Sequence, residues 1–129
     1  MKFSTRSEYG LRAIVQLDKS AKKAVSLASI ATQEEISLAY LERLFALLKK
    51  AGLVKADKGV KGGYYLAKPA KQINVLQIIE ALEGTVAPFV CVGGRDFECA
   101  GNCHIHPVWR KLYSRITSTL SSIKLNTLM

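Results

Sequence analysis

Acidic side chains are scarce in this sequence. Ten Asp and Glu stand against nineteen Lys and Arg, giving a net charge of +9 and a pI near 9.6. The shortage falls on the first part of the chain. Residues 1–70 hold 13 basic and 6 acidic side chains (+7), whereas residues 71–129 hold 6 and 4 (+2). Long apolar runs are missing too, which excludes a helix that spans a bilayer. The opening MKFSTRSEYGLR has no continuous apolar stretch and no small-residue cleavage site. No secretory signal is therefore expected, and the chain reads as cytoplasmic. No segment joins a Lys/Arg-rich face to a broad apolar one, so a membrane surface is a poor partner. Thiols are absent from all but one short loop, where three cysteines lie between residues 91 and 103. An odd, tightly clustered set in a reducing compartment argues against a stable disulfide and for a metal or redox site.

What remains is a basic globular chain, 49% hydrophobic, with no internal repeat or low-complexity tract. Its positive half points to a polyanion, nucleic acid first. The pattern along that half is helical. Thr5-Arg6-Ser7-Glu8 has the form of a capping box opening a helix to about Lys19, with Tyr9, Ala13, Ile14 and Leu17 on one face. Ser26 is placed to cap a short helix over Leu27–Gln33. EEIS makes a tight connection, and Ser37 caps a third helix with Leu41, Leu44, Phe45 and Leu48 as its apolar stripe. Gly52 stops it after the basic turn Lys49-Lys50. LVKAD and YYLAK then flank KGVKGG, a β-hairpin with a cationic tip, closed by Pro69. Asn74 caps a helix ending at Gly84. Pro107 begins a last helix whose Trp109, Leu112, Ile116, Leu120 and Ile123 recur at spacings of three and four.

Helix, short helix, turn, helix and hairpin is the order of a winged helix-turn-helix. The expected fold is mainly α with a small β-wing, followed by a long C-terminal helix. Residues 1–84 would form the DNA-binding domain, 85–106 a Cys/His loop and 107–129 the last helix. In such folds the second helix of the motif enters the major groove. With the apolar stripe inward, a 100° step per residue places Ala39, Arg43, Ala46 and Lys50 outward, flanked by Tyr40, Glu42 and Leu47. Two alanines permit close approach. Arg43 suits a guanine edge, Tyr40 a phosphate or base, and Glu42 a cytosine amino group, which makes Glu42 a filter against sites lacking that donor. Lys55, Lys58 and Lys61 of the hairpin suit phosphates or a minor groove. A nucleotide-cradling loop is the rival reading of the same glycines, but no Walker pattern is present.

Cys91, Cys99 and Cys103 are separated by seven and three residues, and His106 lies three beyond the last. Three thiolates and one imidazole suit zinc or an iron–sulfur cluster, and the spacing alone leaves both open. His104 competes with His106, which directly precedes Pro107 and so has the more restricted backbone. A metal-free thiol switch is a third reading, with Arg95 as the nearest cation. A Cys/His pair could also serve an enzyme, but nothing supplies a third orienting group, so no catalytic site is expected.

STRSEYGLRA, SLAYLERLF, KGVKGGYYL and the Cys/His loop followed by VW together resemble the IscR-like iron–sulfur winged-helix regulators, over nearly the whole chain. The resemblance implies a DNA-binding homodimer that carries a [2Fe–2S] cluster and regulates genes of cluster biogenesis or related stress. It implies Cys91, Cys99, Cys103 and His106 as cluster ligands and the helix from Pro107 as the dimerisation helix. Tyr40, Glu42 and Arg43 fall where the family reads bases, and Lys58 where its wing usually carries arginine. Operator DNA, a second copy and cluster-assembly donors would be the partners. One departure is visible: Cys99 falls one place later than the family's even spacing. Related nitric-oxide sensors take an acidic ligand from the first helix, where Glu8 lies, although Glu8 also fits the capping box.

Overall fold

The computed structural model describes residues 3–19, 23–59, 62–88 and 104–128. Five helices are seen among them: α1 (Thr5–Lys19), α2 (Leu27–Glu34), α3 (Leu38–Lys50), α4 (Val75–Glu83) and α5 (His106–Ser122). Strands β1 (Val54–Ala56) and β2 (Tyr64–Leu66) pair antiparallel with Val54 opposite Leu66, forming the wing. The fold is mainly α with a small β-wing, as the sequence pattern predicts.

Local chemistry explains most boundaries. Ser26 and Ser37 accept from the Ser29 and Tyr40 amides, each 3.1 Å away, and so satisfy free donors at the starts of α2 and α3. Asn74 and Gln77 exchange side-chain-to-backbone bonds of 2.9 Å, a full capping box at α4. Between α2 and α3, Glu35 takes the left-handed conformation (φ 55°) that turns the chain sharply. In the wing, Gly63 (φ +119°) lies so close to Val25 that a Cβ there would sit 2.6 Å from the Val25 carbonyl oxygen. That approach lets Val25 exchange backbone bonds of 2.8 and 2.9 Å with Tyr64, tying the wing to the segment before α2.

The core gathers the inward stripes. Ile14 and Leu17 of α1, Ile30 of α2, and Leu41, Leu44, Phe45 and Leu48 of α3 meet Ile73, Ile78 and Leu82. Gly10 lets α1 press on α4: a Cβ there would collide with the Leu82 side chain. A second, smaller cluster of Val75, Ile79 and Val86 packs the other side of α4 against Tyr113, Ile116 and Leu120 of α5.

Two sequence expectations are corrected here. The capping box at the first helix is not formed. Thr5 is already helical, and Ser4 supplies the cap instead: its Oγ accepts from the Arg6 amide (3.1 Å) and its carbonyl from the Ser7 amide (3.1 Å). Glu8 points outward and pairs with Arg12 one turn on, at 3.6 Å. The last helix also stops at Ser122. Residues 123–128 turn back: the Val75 amide donates to the Ile123 carbonyl (2.9 Å), the Leu125 amide to the Ile73 carbonyl (2.8 Å), and Leu125 is fully buried in the main core. Burying Leu125 and pairing those backbone groups outweighs continuing the helix into solvent.

Candidate nucleic-acid interface and cluster loop

Helix α3 presents four distinct sides. Its apolar stripe is buried. Ala39, Arg43, Ala46 and Lys50 are exposed, as expected for the side that meets a ligand. Tyr40 is half-buried, turned toward α1: its ring meets Tyr9 edge-on at 6.0 Å, and its hydroxyl lies 3.3 Å from that of Thr5. Tyr40 therefore braces α3 against α1. On the other flank, Lys49 lines an open groove with Lys55 and Lys58 of the wing, alongside Val54 and Tyr65. Glu42 is exposed.

That groove brings together side chains far apart in sequence. Three lysines around one depression favour a polyanion, and nothing acidic lines it among the described residues. Lys49 was legible only as part of a basic helix end, and its pairing with the wing comes from the fold. Lys61 lies outside the described residues. The wing's approach is shaped by Asp57, whose carboxylate accepts from the Gly59 amide (2.9 Å) while its own amide donates to Gly63 (2.8 Å).

Cys91, Cys99, Cys103 and Arg95 also lie outside the described residues. The segment containing them leaves α4 after Gly84 and returns at α5. There His104 is exposed. His106 is partly buried at the first position of α5, and its Nδ1 is shut off from water with no hydrogen-bond partner among the described residues.

At the point where the chain leaves α4, Glu83 grips the start of α1. The Ser4 amide and hydroxyl each donate to its carboxylate at 2.6 Å, and the Arg6 guanidinium lies 3.2 Å away. The Glu83 side chain is only 11% exposed. Burial alone would raise its pKa, but the Ser4 bonds, the nearby Ser7 hydroxyl and the Arg6 charge hold it below 4.5. A carboxyl whose folded pKa is lowered stabilises above its unfolded pKa, and that stability disappears as pH falls through the folded value. Wild type should therefore lose its stability advantage over Glu83→Gln as pH falls from about 5 to about 3, measured by urea unfolding. A difference constant across that range would contradict the latch.

A helix-turn-helix with an exposed basic second helix, a two-stranded wing and a lysine-lined groove between them defines a winged-helix DNA-binding regulator. Residues 3–129 match the family Rrf2, described as iron-dependent transcriptional regulators, and the chain belongs to that family. The HTH-type transcriptional regulator IscR of Vibrio atlanticus (strain LGP32) is 40% identical over 130 residues, covering 100% of this chain and 75% of its own length. Among solved structures, CymR, the global cysteine regulator of B. subtilis, superposes with a TM-score of 0.81 at 32% identity, covering 99% of this chain and 95% of that one. T. potens IscR superposes at 0.76 with 38% identity, over 98% and 84%. The chain is thus a transcriptional regulator rather than an enzyme. No helix among the described residues is long and apolar enough to cross a membrane.

Proposed function

We propose that the protein is a homodimeric regulator whose grip on operator DNA depends on a [2Fe–2S] cluster held by Cys91, Cys99, Cys103 and His106. The observation that carries the cluster reading is the orphaned Nδ1 of His106. A ring nitrogen removed from water needs a partner. In a ligating histidine one nitrogen meets the metal and the other an acceptor, so either nitrogen's role calls for a group beyond the described residues. Three thiolates and a neutral imidazole fit such a cluster by donor type, and when bound it supplies a redox-responsive charge. The cysteines and His106 hold it only when deprotonated, so retention weakens in acid. Because the loop joins Gly84 to His106, fixing it also fixes where α5 starts relative to the reading head.

The dimer reading rests on α5, which buries no residue completely. Val108 (56%) and Leu112 (38%) of α5 stand exposed, with Ile105 (58%) just before that helix and Phe3 (47%) just before α1. A second copy covers such an apolar row and places two α3 helices on half-sites about 34 Å apart. Arg43 and Glu42 then meet base edges, while Lys49, Lys55 and Lys58 hold phosphates; Lys50 and Lys61 add to the same positive field. Cytoplasmic DNA and cluster-assembly donors are the partners this reading requires.

The test is selection from random duplex DNA. Wild-type protein should enrich a two-fold symmetric sequence, and each lysine that neutralises a phosphate should add about 0.9 to the slope of log affinity against log salt. Failure to enrich any sequence overturns the reading. A metal-free thiol switch is the second reading, favoured by the likeness to the cysteine regulator; it and a structural zinc site both predict colourless protein.

A further inference from the structure

Two large apolar side chains on α3, Leu38 and Leu47, stand exposed outside the core, and Leu38 is the more exposed of them. Leu38, the first residue of the helix, is 42% exposed and follows directly on the Ser37 cap. Steps of 100° place Leu38, Glu42 and Lys49 along one flank of the helix, opposite the flank on which Tyr40 turns to α1. The Lys49 end of that flank borders the lysine groove shared with the wing. A flank whose far end reaches the phosphates has its near end toward the groove floor, because such helices lead with their N-terminal residues.

We propose that Leu38 is a specificity-determining residue that reads a thymine by packing on its C5-methyl group. In the major groove only thymine offers a methyl, and an aliphatic side chain is its natural partner. Nothing about Leu38 serves hydrogen bonding or charge, so its contribution is dehydration of that methyl. Glu42 stands one turn along the same flank, about 6 Å by helical rise. The thymine contacted by Leu38 should therefore lie within about two base pairs of the cytosine contacted by Glu42. The inference rests on the proposed DNA binding and adds a base to what the head reads.

The experiment replaces thymines one at a time by deoxyuridine in the duplex enriched by wild-type protein. This removes only the methyl and leaves base pairing intact. Wild type should lose about fourfold in affinity per half-site at one position, the effect of one buried methyl group. Leu38→Ala should bind thymine and deoxyuridine equally at that position, with an unchanged salt slope and an unchanged circular dichroism melt. If no position shows a penalty in wild type, or if Leu38→Ala keeps the same penalty, the inference is overturned. If wild type binds no duplex above background, the DNA-binding reading falls and this one with it.

Discussion

Arg43→Ala should lower affinity for the selected operator by about a hundredfold while changing binding to a scrambled duplex by less than about tenfold. Arg43 stands exposed in the middle of α3, with Ala39 before it and Ala46 after it on the outward side. In the proposed complex those two methyls let the helix axis come close, so that the guanidinium would reach base edges rather than stop at the backbone. A bidentate contact to guanine discriminates by about 1–3 kcal/mol, and a symmetric operator uses it twice. Arg43→Lys should keep most of the charge and lose most of the selectivity, because an ammonium cannot make the planar fork. Fluorescence anisotropy on both duplexes reads the difference. Equal losses on the two would place Arg43 on phosphates.

The second large effect falls on His106. After anaerobic reconstitution, His106→Ala should lose iron and sulfide at least about tenfold faster than wild type, whereas His104→Ala should match wild type. The reasoning is local. His104 is exposed, while His106 begins α5 with a nitrogen closed off from water and unpartnered among the described residues. His106 is the first residue of α5, directly before Pro107, so its backbone is fixed by the helix start. His106→Cys should retain iron and shift the reduction potential downward, since thiolate in place of imidazole adds negative charge. Equal retention by all the variants would remove His106 from the site.

Much of this architecture is legible in the sequence because its signals are local. Ser26, Ser37 and Asn74 cap helices through bonds to residues three positions away. The hairpin register follows from alternating side chains around a glycine-rich turn. The failures share one cause, contact across long sequence distance. Thr5-x-x-Glu8 has the right letters for a cap, yet Ser4 takes the role because Glu83, 79 residues away, draws its amide and hydroxyl. Tyr40's contacts with Tyr9 and Thr5 of α1 are likewise visible only in the fold, and they leave its proposed DNA contact open to test. Leu125 looks like the tail of an amphipathic helix until the groove beside Ile73 captures it. Leu38 lies outside the apolar stripe of α3, and its letter alone assigns it no role; its exposure at the helix start comes from the fold.

Spacing and family resemblance are the sequence grounds for the proposed cluster ligands, and His106 alone among them falls within the described residues. Its Nδ1, closed off from water and without a partner among the described residues, is the observation that supports the proposal. The latch between Glu83 and Ser4 adds a route for influence. It ties the exit of α4, where the cysteine segment begins, to the same turn of α1 whose Thr5 meets Tyr40 of the reading helix.

The most direct measurement is operator affinity followed while one protein sample, purified without air, is stripped of iron and then reconstituted with iron and sulfide. The account predicts coloured protein with two irons and two sulfides per chain. Its affinity for the enriched duplex should change on stripping and return on reconstitution, and in His106→Ala it should respond to neither step. Colourless, iron-free protein whose affinity ignores both treatments would contradict it.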